Sequence, residues 1–251
     1  VTTGTVTSDN TTLKATPDYT IAVNGNAQDV GTYTTTVVPN AKGNENYKIT
    51  TVAGAITITP AKQTAVIQNA TKAYDNSTTD PTSYTVTLST GAQTLPSSDF
   101  DVETTSGMAA TGQNAGSYTV TLNQTGINAV NSSNKNYVLN KNSITPGQLI
   151  VTPAGLTASY VTVQGKTKAY DGTASSDPTQ YSVTLSSKLT APTNGWTTAD
   201  FDLTGISSQN VGNYAVKLSA QGLADLQAAN PNYAVTASDV TAGKFNITPN
   251  T

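Results

Sequence analysis

Cysteine and histidine are both missing from these 251 residues. Without them there is no disulfide framework, no thiolate and no imidazole to titrate near neutral pH. Serine–histidine–aspartate and cysteine–histidine catalysis are thereby excluded, together with zinc sites built on either residue. Arginine is missing as well. All 12 cations are lysines, set against 15 acids, for a net charge of −3 and a pI near 4.7. Surfaces that read phosphate lean on arginine forks and a basic field, so nucleic acid is not an expected partner. No apolar run approaches the 18 residues of a spanning helix, and no membrane insertion is expected. Only two of the acids are glutamates. Carboxylate pairs of the kind glycosidases use remain possible. A catalytic pair should not be written twice along a chain, so the expectation is no enzyme, no cofactor and no resident metal. No signal peptide or wall-sorting tail is present, which leads us to expect a piece of something longer.

Threonine, by contrast, supplies nearly a fifth of the chain. It is β-branched and stiff at χ1, and it fits a pleated strand better than a helix. An all-β protein with hydroxyl-covered outer faces follows.

Four landmarks recur in order. "TKAYD" opens at Thr71 and again at Thr167; "QDVGTY" (28–33), "QNAGSY" (113–118) and "QNVGNY" (209–214) share one frame. "NENY" (44–47), "NKNY" (134–137) and "NPNY" (230–233) follow them, and "ITITPA", "LIVTPA" and "FNITPN" close each unit. Steps of 85–93 and then 96 residues are too long for a solenoid and fit tandem modules. Proline cannot donate to a ladder, so the Thr-Pro pairs mark the breaks. The modules are placed at 1–61, 62–154 and 155–251. The first lacks the "KAYD" phrase and is a shorter variant or a partial copy.

Period-two alternation marks the strands. Tyr84, Val86 and Leu88 face one way; so do Tyr118, Val120 and Leu122, and Tyr214, Val216 and Leu218. One short helix is expected in each of modules two and three. Leu223 and Leu226 form its apolar face in one, with Asp225 in the first turn and Pro231 as the stop. Ile127 and Val130 form it in the other. The glycine-turn-tyrosine frame resembles the tyrosine corner of immunoglobulin-like sandwiches, whose hydroxyl ties back to upstream backbone. The expected fold is therefore a tandem of small Ig-like β-sandwich modules. A β-grasp module, with the helix across one mixed sheet, is the alternative.

"KAYDG" (168–172), "YSVTL" (181–185), "NVGNYAVKLSAQGLADLQAANPNYAV" (210–235) and "DVTAGKFNITP" (239–249) resemble the MBG/YDG repeats. Such modules occur in large surface adhesins of lactobacilli and related bacteria. The match spans the third module and, more loosely, the second. What the resemblance implies is an extracellular, cell-surface protein attached to the wall through other regions and linked to mucus binding or adhesion. Its partners would be mucin glycans or a host surface or extracellular-matrix protein, and the chain itself a monomeric, elongated region. A spacer that holds a distant binding domain away from the wall is the alternative.

Individual residues offer few candidates for chemistry. Trp196, the single tryptophan, sits in the polar loop 191–201 and could stack on a sugar ring; capping the sandwich end is the plainer reading. Asp99 and Asp101, with Asp200 and Asp202, alternate around Phe100 and Phe201. Clustered carboxylates suit calcium, but no EF-hand loop surrounds them, and a solvated strand face is preferred. Asp75 and Asp171 should build turns, eased by Gly172 in the second case, while Tyr74 and Tyr170 pack inward.

Overall fold

The computed structural model describes residues 19–25, 27–40, 50–77, 81–110, 113–156, 160–172, 181–204 and 210–251. The chain is mostly β, and its described strands form several sheets without a barrel among them. It divides into two compact units, one of residues 1–66, 85–100 and 122–145, the other of 67–84, 101–121 and 146–251. The middle repeat contributes strands to both.

In the first unit the strands Tyr19–Val23, Gly31–Pro39 and Gly54–Ile58 form an antiparallel sheet in chain order. Tyr19 lies opposite Pro39, and Gly31 opposite Ile58. The same unit holds most of a four-stranded sheet in the order Tyr137–Thr145, Ala61–Ile67, Ser83–Leu88, Gly91–Pro96. Its first pair is parallel, with Tyr137 against Ala61.

The second unit shows the described strands of the third repeat around one core. One sheet runs Ser182–Leu185, Val161–Gln164, Val240–Thr241; the other runs Thr167–Ala169, Gly243–Thr248, Gly212–Leu218, Phe201–Asp202. Val161 and Val163 from the first meet Val216, Phe245 and Ile247 from the second, all essentially buried. Tyr181, Phe201 and Leu226 fill the remaining space. Two sheets share this core, so the module is a sandwich and not a single sheet crossed by a helix. Equivalent strands of the middle repeat, Ala70–Ala73, Gly147–Thr152, Gly116–Leu122 and Phe100–Glu103, are ordered in the same way.

The alternation expected from sequence is present. Tyr84, Val86, Tyr118, Val120, Leu122, Val216 and Leu218 are all buried. Both helices form, α1 over Gln124–Ser133 and α2 over Ala220–Ala229. Their apolar residues Ile127, Val130 and Leu226 are buried, and Leu223 packs partly against the core. The N-terminal signal differs from the expected one. Asp225 lies in the second turn and accepts from Gln221 Nε2 (2.8 Å), while Ser219 caps α2 by accepting from the Gly222 N–H (3.1 Å). Asn123 does the same for α1, accepting from the Gly126 N–H at 3.0 Å. A short oxygen side chain at the cap satisfies an orphan donor directly, which a later carboxylate cannot. The helix entries also dock on backbone: Asn123 N–H donates to the Asp99 carbonyl (3.0 Å) and Ser219 N–H to that of Asp200 (2.9 Å).

Candidate functional site

Each Gly-x-Tyr frame builds the same turn. Tyr33 donates its hydroxyl to the Asp29 carbonyl (2.9 Å), Tyr118 to that of Asn114 (2.7 Å), and Tyr214 to that of Asn210 (2.7 Å). The ring of the tyrosine thus holds a carbonyl four residues upstream, three times over. This fixed turn presents one N–H and one polar side chain outward, at residues 29–30, 114–115 and 210–211.

At two of the three turns these groups are taken by the Asn-x-Asn-Tyr segment of the next module. Val30 N–H donates to Asn136 Oδ1 (2.8 Å), and Asn136 Nδ2 donates to Asp29 Oδ1 (2.7 Å). Ala115 N–H donates to Asn232 Oδ1 (2.8 Å), and Asn232 Nδ2 donates to Asn114 Oδ1 (2.9 Å). Beside each asparagine the linker joins in: Ala61 N–H donates to the Asn136 carbonyl and Ala154 N–H to the Asn232 carbonyl, both at 2.9 Å.

Around the second of these junctions lies a groove of about 500 Å³. Tyr74, Asp75 and Asn76 line it from the middle repeat; Tyr160, Lys188, Asn232 and Tyr233 line it from the third. Tyr74 meets Tyr233 edge to face, with ring centroids 5.5 Å apart and planes at 84°. Lys188 Nζ stands 5.7 Å from the centroid of the Tyr160 ring. Asp75 Oδ1 accepts from the Ser77 hydroxyl (2.7 Å), the Ser77 N–H (2.9 Å) and Lys72 Nζ (3.1 Å). Those donors, the serine first, lower its pKa from 3.8 to about 2. The turn it forms puts Asn76 at a positive φ of 59°, where the third module has Gly172 at 71°. The groove therefore combines aromatic surface, a fixed carboxylate, amides and an ammonium, a set suited to a polyhydroxylated ligand.

The expected site residues fall elsewhere. Trp196 is half-buried, its ring 6.1 Å from that of Phe201, and it does not line the groove. Asp99 and Asp200 correct the expectation of a solvated strand face. Each closes a 3₁₀ turn, Ser97–Asp99 or Thr198–Asp200, and is buried. For Asp200 the reason is a capping box: Oδ2 accepts from the Thr197 N–H and from its hydroxyl (3.0 Å). Asp101 and Asp202 are exposed. Asp202 Oδ1 accepts from the hydroxyl (2.7 Å) and N–H (3.1 Å) of Thr204, which holds its pKa below the usual carboxylate range. Among the described residues no three acids gather closely enough to hold a metal. No described helix is long and apolar enough to cross a membrane. Tyr170 is another correction. It is 42% exposed, whereas its counterpart Tyr74 is half-buried beneath Tyr233.

Asn136 and Asn232 were visible only as landmarks in the sequence. Their partners lie 106 and 117 residues away, and the signal that could have found them was the double recurrence of Asn-x-Asn-Tyr behind Gln-x-x-Gly-x-Tyr.

A family model described as the MBG domain matches the chain twice, over residues 61–153 and 157–249. Among solved structures, a cell surface adhesin from Lactobacillus reuteri is 25% identical, covering 38% of this chain and 99% of its own, with a TM-score of 0.25. No curated protein matches the chain.

Proposed function

The chain belongs to the MBG domain family, and from that premise we propose that it is a non-catalytic repeat region of a bacterial surface adhesin, exposed outside the cell. Its work in this reading is to hold mucin-type glycans in the groove beside the second junction. The observation that carries the reading is the composition of that groove. Tyr160 and Tyr74 offer ring surface to the C–H face of a pyranose, while Asp75, Asn76 and Lys188 offer acceptors and donors to its hydroxyls. Asp75 is ionised at any physiological pH, so it accepts from two hydroxyls at most strength. The first junction has Thr64 where the second has Tyr160, and no "KAYD" phrase, so these two tyrosines have no counterpart there.

The test is titration of the 251-residue chain with mucin-derived oligosaccharides. Tyr160→Ala should weaken binding about tenfold, the size of one lost ring contact, with Trp196→Ala unchanged. Binding that survives Tyr160→Ala and Asn76→Ala but is lost in Trp196→Ala moves the site to the 191–201 loop. Binding to a host protein and to no glycan replaces the ligand class.

A second reading has its own observation. The duplicated asparagine contact couples successive modules directly, which serves a spacer that binds nothing. The absence of any glycan or host-protein binding at high protein concentration would leave that reading standing.

A further inference from the structure

We propose that the end of the third module is an acceptor surface for a further MBG module joined behind it, engaged by that module's Asn-x-Asn-Tyr segment. The proposal does not depend on glycan binding. It rests on what the same surface does twice elsewhere in the chain. The turn at 29–30 receives Asn136, and the turn at 114–115 receives Asn232, each through one bond from a backbone N–H and one to a side-chain oxygen. At the second of these junctions the tyrosine next to the asparagine, Tyr233, lands on Tyr74. An Asn-Tyr pair therefore seeks two receptors on the module before it: a tyrosine-corner turn and the tyrosine of "KAYD".

The third module carries both receptors, already formed. Tyr214 holds the Asn210 carbonyl at 2.7 Å, as Tyr118 holds that of Asn114. Asn210 is exposed and Val211 is 51% exposed. Among the described residues no hydrogen bond reaches the Val211 N–H or the Asn210 side chain. Tyr170, the counterpart of Tyr74, is 42% exposed. Asn210, Val211 and Tyr170 are thus places where module three differs from module two in burial or pairing, and they are the ones that the next Asn-Tyr pair would cover. The side-chain receptor accepts equally as aspartate (Asp29) or asparagine (Asn114), because both offer an Oδ1 to the incoming amide. Backbone geometry then does the selecting. An Asn suits the incoming side because it accepts from the N–H with Oδ1 while a separate atom, Nδ2, donates to the oxygen beside it.

Amide hydrogen exchange tests this on the full chain. The Val30 and Ala115 N–H groups should be protected, and the Val211 N–H should exchange at least about tenfold faster than either. Asn136→Ala should release Val30 alone, and Asn232→Ala should release Ala115 alone. Adding a second copy of residues 155–251 after Thr251 should then protect Val211. The Asn232→Ala change made only in that added copy should abolish the new protection while leaving Ala115 protected. Asn210→Ala, which leaves the backbone donor in place, should reduce the protection without removing it. Unchanged Val211 exchange in the extended chain overturns the proposal. Protection of Val211 that appears in the unextended chain and rises with its concentration also overturns it, in favour of contact between separate copies.

Discussion

Two asparagines two residues apart do different work. Asn230 is buried and fully used inside its own module: its amide donates to the Leu226 and Thr190 carbonyls and its oxygen accepts from the Thr190 N–H. Asn232 faces the neighbouring module instead. An alanine at 230 removes three hydrogen bonds, one of them to the buried Leu226 carbonyl, so Asn230→Ala should cost about 2 kcal/mol in denaturant unfolding. Asn232→Ala should cost well under half of that, because its partners are exposed to water once released. The corner tyrosine is intermediate. Tyr118→Phe keeps the buried ring and removes one hydroxyl bond to the Asn114 carbonyl, a loss of about 1 kcal/mol. Asp75 gives a pH dependence with a definite sign. Its folded pKa is depressed to about 2, so its contribution is complete above the ordinary 3.8 and is lost as pH falls toward 2. A carboxyl carbon NMR titration should find its midpoint near 2, and Lys72→Met should raise that midpoint only in part, since the Ser77 bonds come first. The corner was legible in sequence because Gly-x-Tyr recurs and the tyrosine bonds four residues away. The asparagine's role was not, because its partners belong to another module.

At the scale of elements, the helices depend on a missing methyl group. Gly222 in α2 sits against the Asp200 carbonyl and Gly126 in α1 against that of Asp99, and a Cβ at either would overlap the oxygen. Glycine inside a helix normally costs about 1 kcal/mol relative to alanine. Gly222→Ala should nevertheless destabilise, by about 1–3 kcal/mol, because forcing the helix off its docking turn outweighs the propensity gain. A higher midpoint in chemical denaturation for Gly222→Ala would contradict the packing described here. The strands were legible because alternation is a local signal: Tyr84 and Val86, or Val216 and Leu218, announce a buried face within five residues. The helix starts were read less well. Asp225 looked like a first-turn acid, but the cap is Ser219, whose hydroxyl bonds both the Gly222 N–H and the Ala199 carbonyl. That second bond depends on a turn twenty residues earlier, which periodicity does not reveal. The buried position of Asp200 escaped for the same reason, since a carboxylate in a strand-like pattern reads as solvated until its capping partner Thr197 is known.

For the whole molecule, repetition carries the account. One repeat by itself supplies a sandwich; two in sequence supply a junction, and the second junction supplies a groove whose tyrosines come from different modules. The repetition and the mostly β character were written in composition and spacing. The groove was not, because Tyr74 and Tyr160 are 86 positions apart in the chain and neither is unusual where it stands. Trp196 drew attention as the rare aromatic, yet its ring is turned toward Phe201. The central claim is that this chain holds glycans at the junction, and chemical-shift mapping with a mucin-derived oligosaccharide tests it most directly. The account predicts that the amides of Asn76, Tyr160, Lys188 and Asn232 move together along one binding curve while those of the 191–201 loop stay still. Shifts confined to that loop, or none at saturating sugar, would contradict it.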